Sequence, residues 1–218
     1  MIIQLFQLRS ASNMQNSMVL IVFIILNAVE LIVNALFSQM AFWMKICIHL
    51  SWMLGFIYYI FSIISVDGGI PVFKVSFLEI IGAVFLGGAI YVLNVMYNTI
   101  MINRMIVFDW RLYFRIPSDI TVTFMAVLFA VLEEFTYRYW VVAQMNNVLG
   151  ILILTSLAYG VNHSIFNDDE AFVKSLFGML LGASLVITHS VWVPVMMHVT
   201  FNCLSSNINK KSSRSDGE

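Results

Sequence analysis

Six consecutive residues, Glu133-Glu134-Phe135-Thr136-Tyr137-Arg138, place two carboxylates and a guanidinium in an otherwise apolar stretch. Phe124 to Leu132 precede them and Tyr139 to Ala143 follow. A charge at the centre of a lipid-facing helix costs from about 2.5 kcal/mol upward, so three together need a reason. The choices are an interior ion pair, an ion path or a catalytic site, and two later histidines, His163 and His198, favour the last. A carboxylate, two imidazoles and the Asn202 carboxamide, gathered away from bulk water, suit acyl hydrolysis. A desolvated carboxylate is a stronger general base, imidazole can hold the attacking water, and a carboxamide can donate to an oxyanion. No serine or cysteine stands beside these groups, which leaves water as the nucleophile.

Helical spacing then says how such residues must be carried. Glu134 and Arg138 are i,i+4 with the acid N-terminal, the favourable order for a pair. Glu133 sits about 100° round the helix, without that partner. A purely structural ion-pair cluster fits these three residues equally well. Tyr159 is i−4 to His163, where it can stack on or bond to the imidazole, and His198 shares a helix face with Asn202. His49 and His189 have no strong polar neighbour at helical spacing and read as packing residues. From a turn near Asn146-Asn147, Glu133 lies about twelve residues back (roughly 18 Å) and His163 about sixteen residues forward (roughly 24 Å). His198 lies about eight residues, or roughly 12 Å, past a turn near Ser190. A single buried site is therefore permitted.

The chain as a whole is 218 residues long, 61% hydrophobic and 11% charged, with a mean hydropathy of +0.90. Soluble domains carry about 25% charged residues, so the expectation is an integral membrane protein. The net charge of −1 offers no basic field for phosphates and argues against nucleic acid. Cys47 and Cys203 stand far apart in apolar surroundings and read as small hydrophobes. The predicted fold is all-α, a polytopic membrane helix bundle of about seven transmembrane helices: 17–38, 41–66, 75–101, 119–144, 148–165, 169–188 and a short last helix, 193–206.

Residues 1–206 form one integral membrane domain in this reading, and 207–218 a polar tail. Gly68-Gly69-Ile70-Pro71 reads as a turn, 104–115 as a basic, aromatic interfacial segment, and Ser118-Asp119 as the cap of the fourth helix. Asn167 to Glu170 reads as a capping box, and Pro194 as a first helical residue. Basic residues in 104–115 and in the tail put both on the cytoplasmic face. Asn27, Glu30 and Asn34, and likewise Asn94 and Asn98, form polar stripes expected to pack between helices. Gly82, Gly87 and Gly88 read as close-contact points.

Three motifs in 119–205 resemble the CPBP family of CAAX proteases and bacteriocin-processing enzymes, also called Abi. They are Glu133-Glu134-Phe-Thr-Tyr-Arg138, Tyr159-Gly-Val-Asn-His163 and His198-Val-Thr-Phe-Asn202, the second with tyrosine in place of the family's phenylalanine. The resemblance implies an intramembrane glutamate endopeptidase with no metal or other cofactor, its helical bundle enclosing a cavity open to the membrane. Glu133 and His163 would activate water, His198 and Asn202 would form the oxyanion site, and Glu134 with Arg138 would hold the fourth helix, Tyr159 supporting His163. It implies a membrane-associated or lipidated peptide as substrate. The compact chain is most like small bacterial members, which process peptide pheromones or bacteriocin leaders, or confer immunity. That places it in a bacterial cell membrane. Two alternatives stand: a non-catalytic immunity or scaffold protein, and a zinc protease with Glu133, His163 and His198 as ligands.

Overall fold

The computed structural model describes residues 2–36, 42–64, 75–103, 120–139, 148–164 and 171–205. They form seven α-helices: α1 (Ile2–Leu36), α2 (Phe42–Ile64), α3 (Phe77–Asn103), α4 (Ile120–Glu133), α5 (Val148–Ser164), α6 (Ala171–Thr188) and α7 (Trp192–Ser205). No strand occurs among the described residues. Six of the seven begin within a few residues of the expected starts. The exception is α1, which begins at Ile2 rather than near 17. Polar residues from Gln4 to Asn16 interrupt the apolar run, yet no glycine or proline stands there to stop a helix. A second difference follows α4, which passes into a single π-helical turn, Glu134–Tyr139, instead of continuing as α-helix. The turns at Gly68 to Pro71 and Asn146-Asn147, the 104–115 segment, the caps at Ser118-Asp119 and Asn167 to Glu170, and the tail lie outside the described residues.

Two compact units are distinguished within the segment that the sequence reading treats as one domain. Unit 1 comprises Met1–Pro71 and Phe135–Ala183; unit 2 comprises Val72–Glu134 and Ser184–Glu218.

In unit 2, Ser76 starts α3 with a reciprocal capping box. Its hydroxyl accepts from the Glu79 N–H at 3.2 Å, and Glu79 Oε2 accepts from the Ser76 N–H at 2.6 Å. Ala83, Gly87, Tyr91 and Val95, four residues apart, make one buried stripe on α3. That stripe lies along α7. A Cβ at Gly87 would run into the Met197 carbonyl oxygen, and Tyr91 meets Phe201 edge-on at 6.2 Å. Gly82 and Gly88 have nothing within 4 Å, so of the three expected contact glycines only Gly87 is one. They fall beside the stripe rather than on it. Asn98 is exposed, which leaves the Asn94–Asn98 stripe only partly covered.

Between α6 and α7 the chain turns at His189, whose φ of 54° is left-handed. Its N–H bonds the Leu185 carbonyl at 2.8 Å, the pattern of an αL helix cap. His189 is exposed, so it is a cap residue and not the packing residue the sequence suggested. Pro194 takes the third position of α7 rather than the first. That is still within the turn whose N–H groups have no helical partner, so its missing N–H costs nothing there.

Unit 1 is centred on Phe23 of α1. The rings of Trp52, Phe56 and Tyr137 approach it edge-on at 6.4, 5.7 and 5.6 Å. Asn27 and Glu30 of the expected polar stripe are buried beside this aromatic cluster. Gly160 of α5 faces α6, where a Cβ would strike Ser175 Oγ and the Ala171 carbonyl.

Two helical segments, Phe77–Ile100 and Ala171–Thr188, are long and apolar enough to cross a bilayer. Only 22% and 28% of the residues in their apolar windows are buried. Phe77, Phe85 and Ile187 are each more than three-quarters exposed, which suits lipid far better than water.

Candidate active site

The end of α4 and the middle of α7 meet in unit 2. Helix α4 supplies Glu133 as its last α-helical residue and Glu134 as the first of the π turn, and α7 supplies His198. All three are buried, at 4%, 0% and 1% exposure. His198 Nδ1 lies 2.7 Å from Glu134 Oε1, and its Nε2 lies 3.5 Å from Glu133 Oε2. One imidazole thus has a carboxylate at each nitrogen, both from neighbouring residues of the same helix end. The short bond fixes the ring. A carboxylate accepts, so Nδ1 carries a hydrogen, and Nε2 is the ring nitrogen turned towards Glu133.

One turn along α7, Asn202 Nδ2 donates to the Ala126 carbonyl of α4 at 3.2 Å. A carbonyl oxygen only accepts, so the carboxamide nitrogen is the atom facing it. A carboxamide has two N–H donors, and this bond orients the group while using one.

His163, Tyr159 and Arg138 belong to unit 1. His163 Nδ1 bonds the Tyr159 carbonyl oxygen at 3.0 Å, which leaves Nε2 as the acceptor of the neutral ring. The two rings are tilted at 49°, with centroids 4.2 Å apart. The expected Tyr159–His163 contact is therefore present, made by backbone and ring face. The Arg138 guanidinium carbon lies 4.3 Å from the Tyr159 ring centre and 5.6 Å from that of Tyr137, within cation–π range. Arg138 is fully buried, which suits arginine's weakly hydrated, planar head better than lysine's ammonium.

The structure brings Glu133, Glu134 and His198 together in unit 2, with Asn202 one turn further along α7 and bonded to Ala126, and gathers His163, Tyr159 and Arg138 in unit 1. The i,i+4 rule hands Glu134 to Arg138 and overlooks His198, because a local rule cannot see a partner 64 residues away. His49, expected to be a packing residue, has a strong polar partner. Its Nδ1 lies 2.6 Å from Glu30 Oε1, and Trp52 Nε1 lies 3.3 Å from the same ring nitrogen. The available signal was Glu30 itself: a carboxylate in an apolar run with no cation at helical spacing must find its partner on another helix. Among the described residues, no group of three or more His, Cys, Asp or Glu side chains is placed to hold a metal ion.

The described residues are thus all helical, two of the helices are apolar enough to cross a bilayer, and a carboxylate–imidazole–carboxylate cluster is buried among them. Residues 117–204, which contain α4 to α6 and all of α7 but Ser205, match the sequence model of the type II CAAX prenyl endopeptidase, Rce1-like family. That segment is a domain of the CAAX-protease family, a family of membrane-embedded proteases, in agreement with the three motifs. No curated protein and no solved structure matches the chain.

Proposed function

We propose that the protein is an intramembrane endopeptidase that cleaves a membrane-associated or lipidated peptide with carboxylate-activated water. The observation that carries this reading is the His198 ring held between Glu133 and Glu134. Glu133 takes a proton from water as the oxygen bonds to the scissile carbonyl carbon. That proton passes to His198 Nε2, and Glu134 stabilises the imidazolium, the task an aspartate performs for the histidine of a catalytic triad. Nε2–H and the second N–H of Asn202 are then donors for the tetrahedral oxyanion. As the C–N bond breaks, the proton leaves with the amine. For His163 the motif implies a share in holding the water, and its acceptor Nε2 suits that part.

The exposed apolar side chains of the other helices, such as Ile25 and Ile32 on α1, Leu54 on α2 and Leu149 on α5, support a polytopic arrangement of all seven. In this reading the protein lies in a bacterial cell membrane, and the basic C-terminal tail supports a cytoplasmic C-terminus. The substrate in this reading is a peptide pheromone, a bacteriocin leader or a comparable lipid-borne peptide.

The test is mass-spectrometric profiling of peptides from cells of the native host, comparing wild type with Glu133→Gln at matched membrane abundance. In parallel, the protein in nanodiscs is given a farnesylated peptide ending in cysteine, two aliphatic residues and a variable residue. A defined peptide lost in the variant, with cleavage unaffected by phenanthroline, supports the proposal. Identical profiles with the host phenotype retained identify a binding or immunity protein. Inhibition by chelator, reversed by zinc, identifies a metalloprotease.

A further inference from the structure

Unit 1 holds a second carboxylate–imidazole pair, on α1 and α2, outside the segment that matches the family. Glu30 Oε1 and His49 Nδ1 are 2.6 Å apart, and both side chains are almost wholly buried. The other carboxylate oxygen, Glu30 Oε2, accepts from Asn162 Nδ2 of α5 at 3.1 Å. That same nitrogen lies 2.5 Å from Asn27 Oδ1 and 2.7 Å from the Tyr137 hydroxyl. Asn27 is itself oriented, because its Nδ2 donates to the Phe23 carbonyl at 2.8 Å and so turns Oδ1 towards Asn162.

Polar groups from α1 and the π turn are therefore arranged around one carboxamide on α5, with His49 of α2 on the far side of Glu30. Gluing helices together needs far less than this, and an apolar side chain of similar size would fill the space without desolvating a carboxylate. A network of this kind gives direction. Asn162 is fully buried, and the residue after it is His163. Consecutive helical residues point about 100° apart, so fixing the rotation of α5 at Asn162 fixes the bearing of His163. The ring is pinned to its own helix by the Tyr159 carbonyl and by stacking on the Tyr159 ring. The bearing of α5 is then what decides where Nε2 points.

We propose that Glu30 and Asn27 are positioning residues that act through Asn162 to set the direction in which His163 presents Nε2. The catalytic importance of this rests on the protease reading; the ring orientation does not.

The test uses the full chain in nanodiscs with ¹⁵N-labelled histidine, the four histidines being assigned by single substitution. Asn162→Leu and Glu30→Leu are expected to shift the His163 ring-nitrogen signals. Glu30→Gln is expected to keep them, because its carboxamide can still accept from Asn162 while donating to His49. On the farnesylated peptide, the two leucine variants are expected to lower kcat roughly tenfold to a hundredfold. KM is expected to stay within about twofold, as for a loss confined to the chemical step. Unchanged His163 signals in Asn162→Leu overturn the proposal whatever the activity. If the leucine variants do not accumulate, Tyr137→Phe decides, since it removes only the hydroxyl facing Asn162: shifted His163 signals support the proposal and unshifted signals overturn it. A wild-type protein that cleaves nothing sinks the protease reading, and the ring signals still judge the positioning.

Discussion

Glu134 of the π turn and His198 of α7, 64 residues apart in the chain, are joined by a 2.7 Å bond between a carboxylate oxygen and Nδ1. The same ring presents its other nitrogen to Glu133 at 3.5 Å. The two adjacent glutamates thus do different things to one imidazole, and substitution separates them. In the proposed mechanism Glu133→Gln removes the base and is expected to lower kcat by about 10²- to 10⁴-fold with folded protein near normal. Glu134→Gln retains an oxygen that can accept from Nδ1 but loses the charge that steadies the imidazolium. Its expected cost is of order 10²-fold in kcat, again with folded protein retained. Glu134→Ala leaves Nδ1–H buried and unpaired, at a cost of about 1–3 kcal/mol, and is expected to reduce the folded fraction as well. Cleavage kinetics beside detergent gel filtration distinguish the three; equal kinetics in the two glutamine variants at an unchanged rate would remove the distinction.

Arg138 is read from its stacking on Tyr159. Arg138→Ala empties a fully buried site and removes a cation–π contact worth about 2 kcal/mol when desolvated. A markedly lower yield of monodisperse protein is expected. Arg138→Lys is expected to recover little of it, because an ammonium cannot lie flat against the ring. Full recovery by lysine would show that charge alone matters there.

Gly87 and Gly88 are neighbours with opposite surroundings. Gly87→Ala drives a Cβ into the Met197 carbonyl oxygen and pushes α7 from α3, with an overpacking cost of about 1–3 kcal/mol. Since α7 carries His198, activity is expected to fall along with the melting temperature. Gly88→Ala meets nothing within 4 Å and is expected to be neutral or slightly stabilising. Thermal unfolding monitored by tryptophan fluorescence checks both.

His189 occupies a backbone conformation that suits glycine. His189→Gly is expected to stabilise the α6–α7 turn by up to about 1 kcal/mol, and His189→Ala to leave kcat unchanged. A collapse of activity in His189→Ala would mean that the exposed cap takes part in the reaction.

The seven helices are legible in the sequence because each rests on a long apolar run between polar or turn-forming segments. The π turn is not legible: Glu134 to Tyr139 contains no glycine or proline, and no local feature separates an i→i+5 turn from an α-turn. Of the candidate site, Glu133, His198 and Asn202 are readable as chemistry out of place in an apolar chain. Their partners are less so. Spacing offers Glu134 an arginine four residues away and gives no sign of the bond it makes to another helix. His49 looks isolated for the same reason, since Glu30 is 19 residues distant and Asn162 bears no charge to draw attention. Short-range rules detect polar residues that need partners, and tertiary packing chooses the partners.

The buried Glu30 also orders the protein's birth. Its carboxylate leaves the ribosome with nothing at helical spacing to neutralise it. His49 follows 19 residues later, whereas the stretch carrying Asn162 is synthesised 132 residues after Glu30. A chain that ends before α2 carries this acid without its imidazole, and one that ends after α2 carries both. The carboxamide that takes the other carboxylate oxygen arrives only with α5.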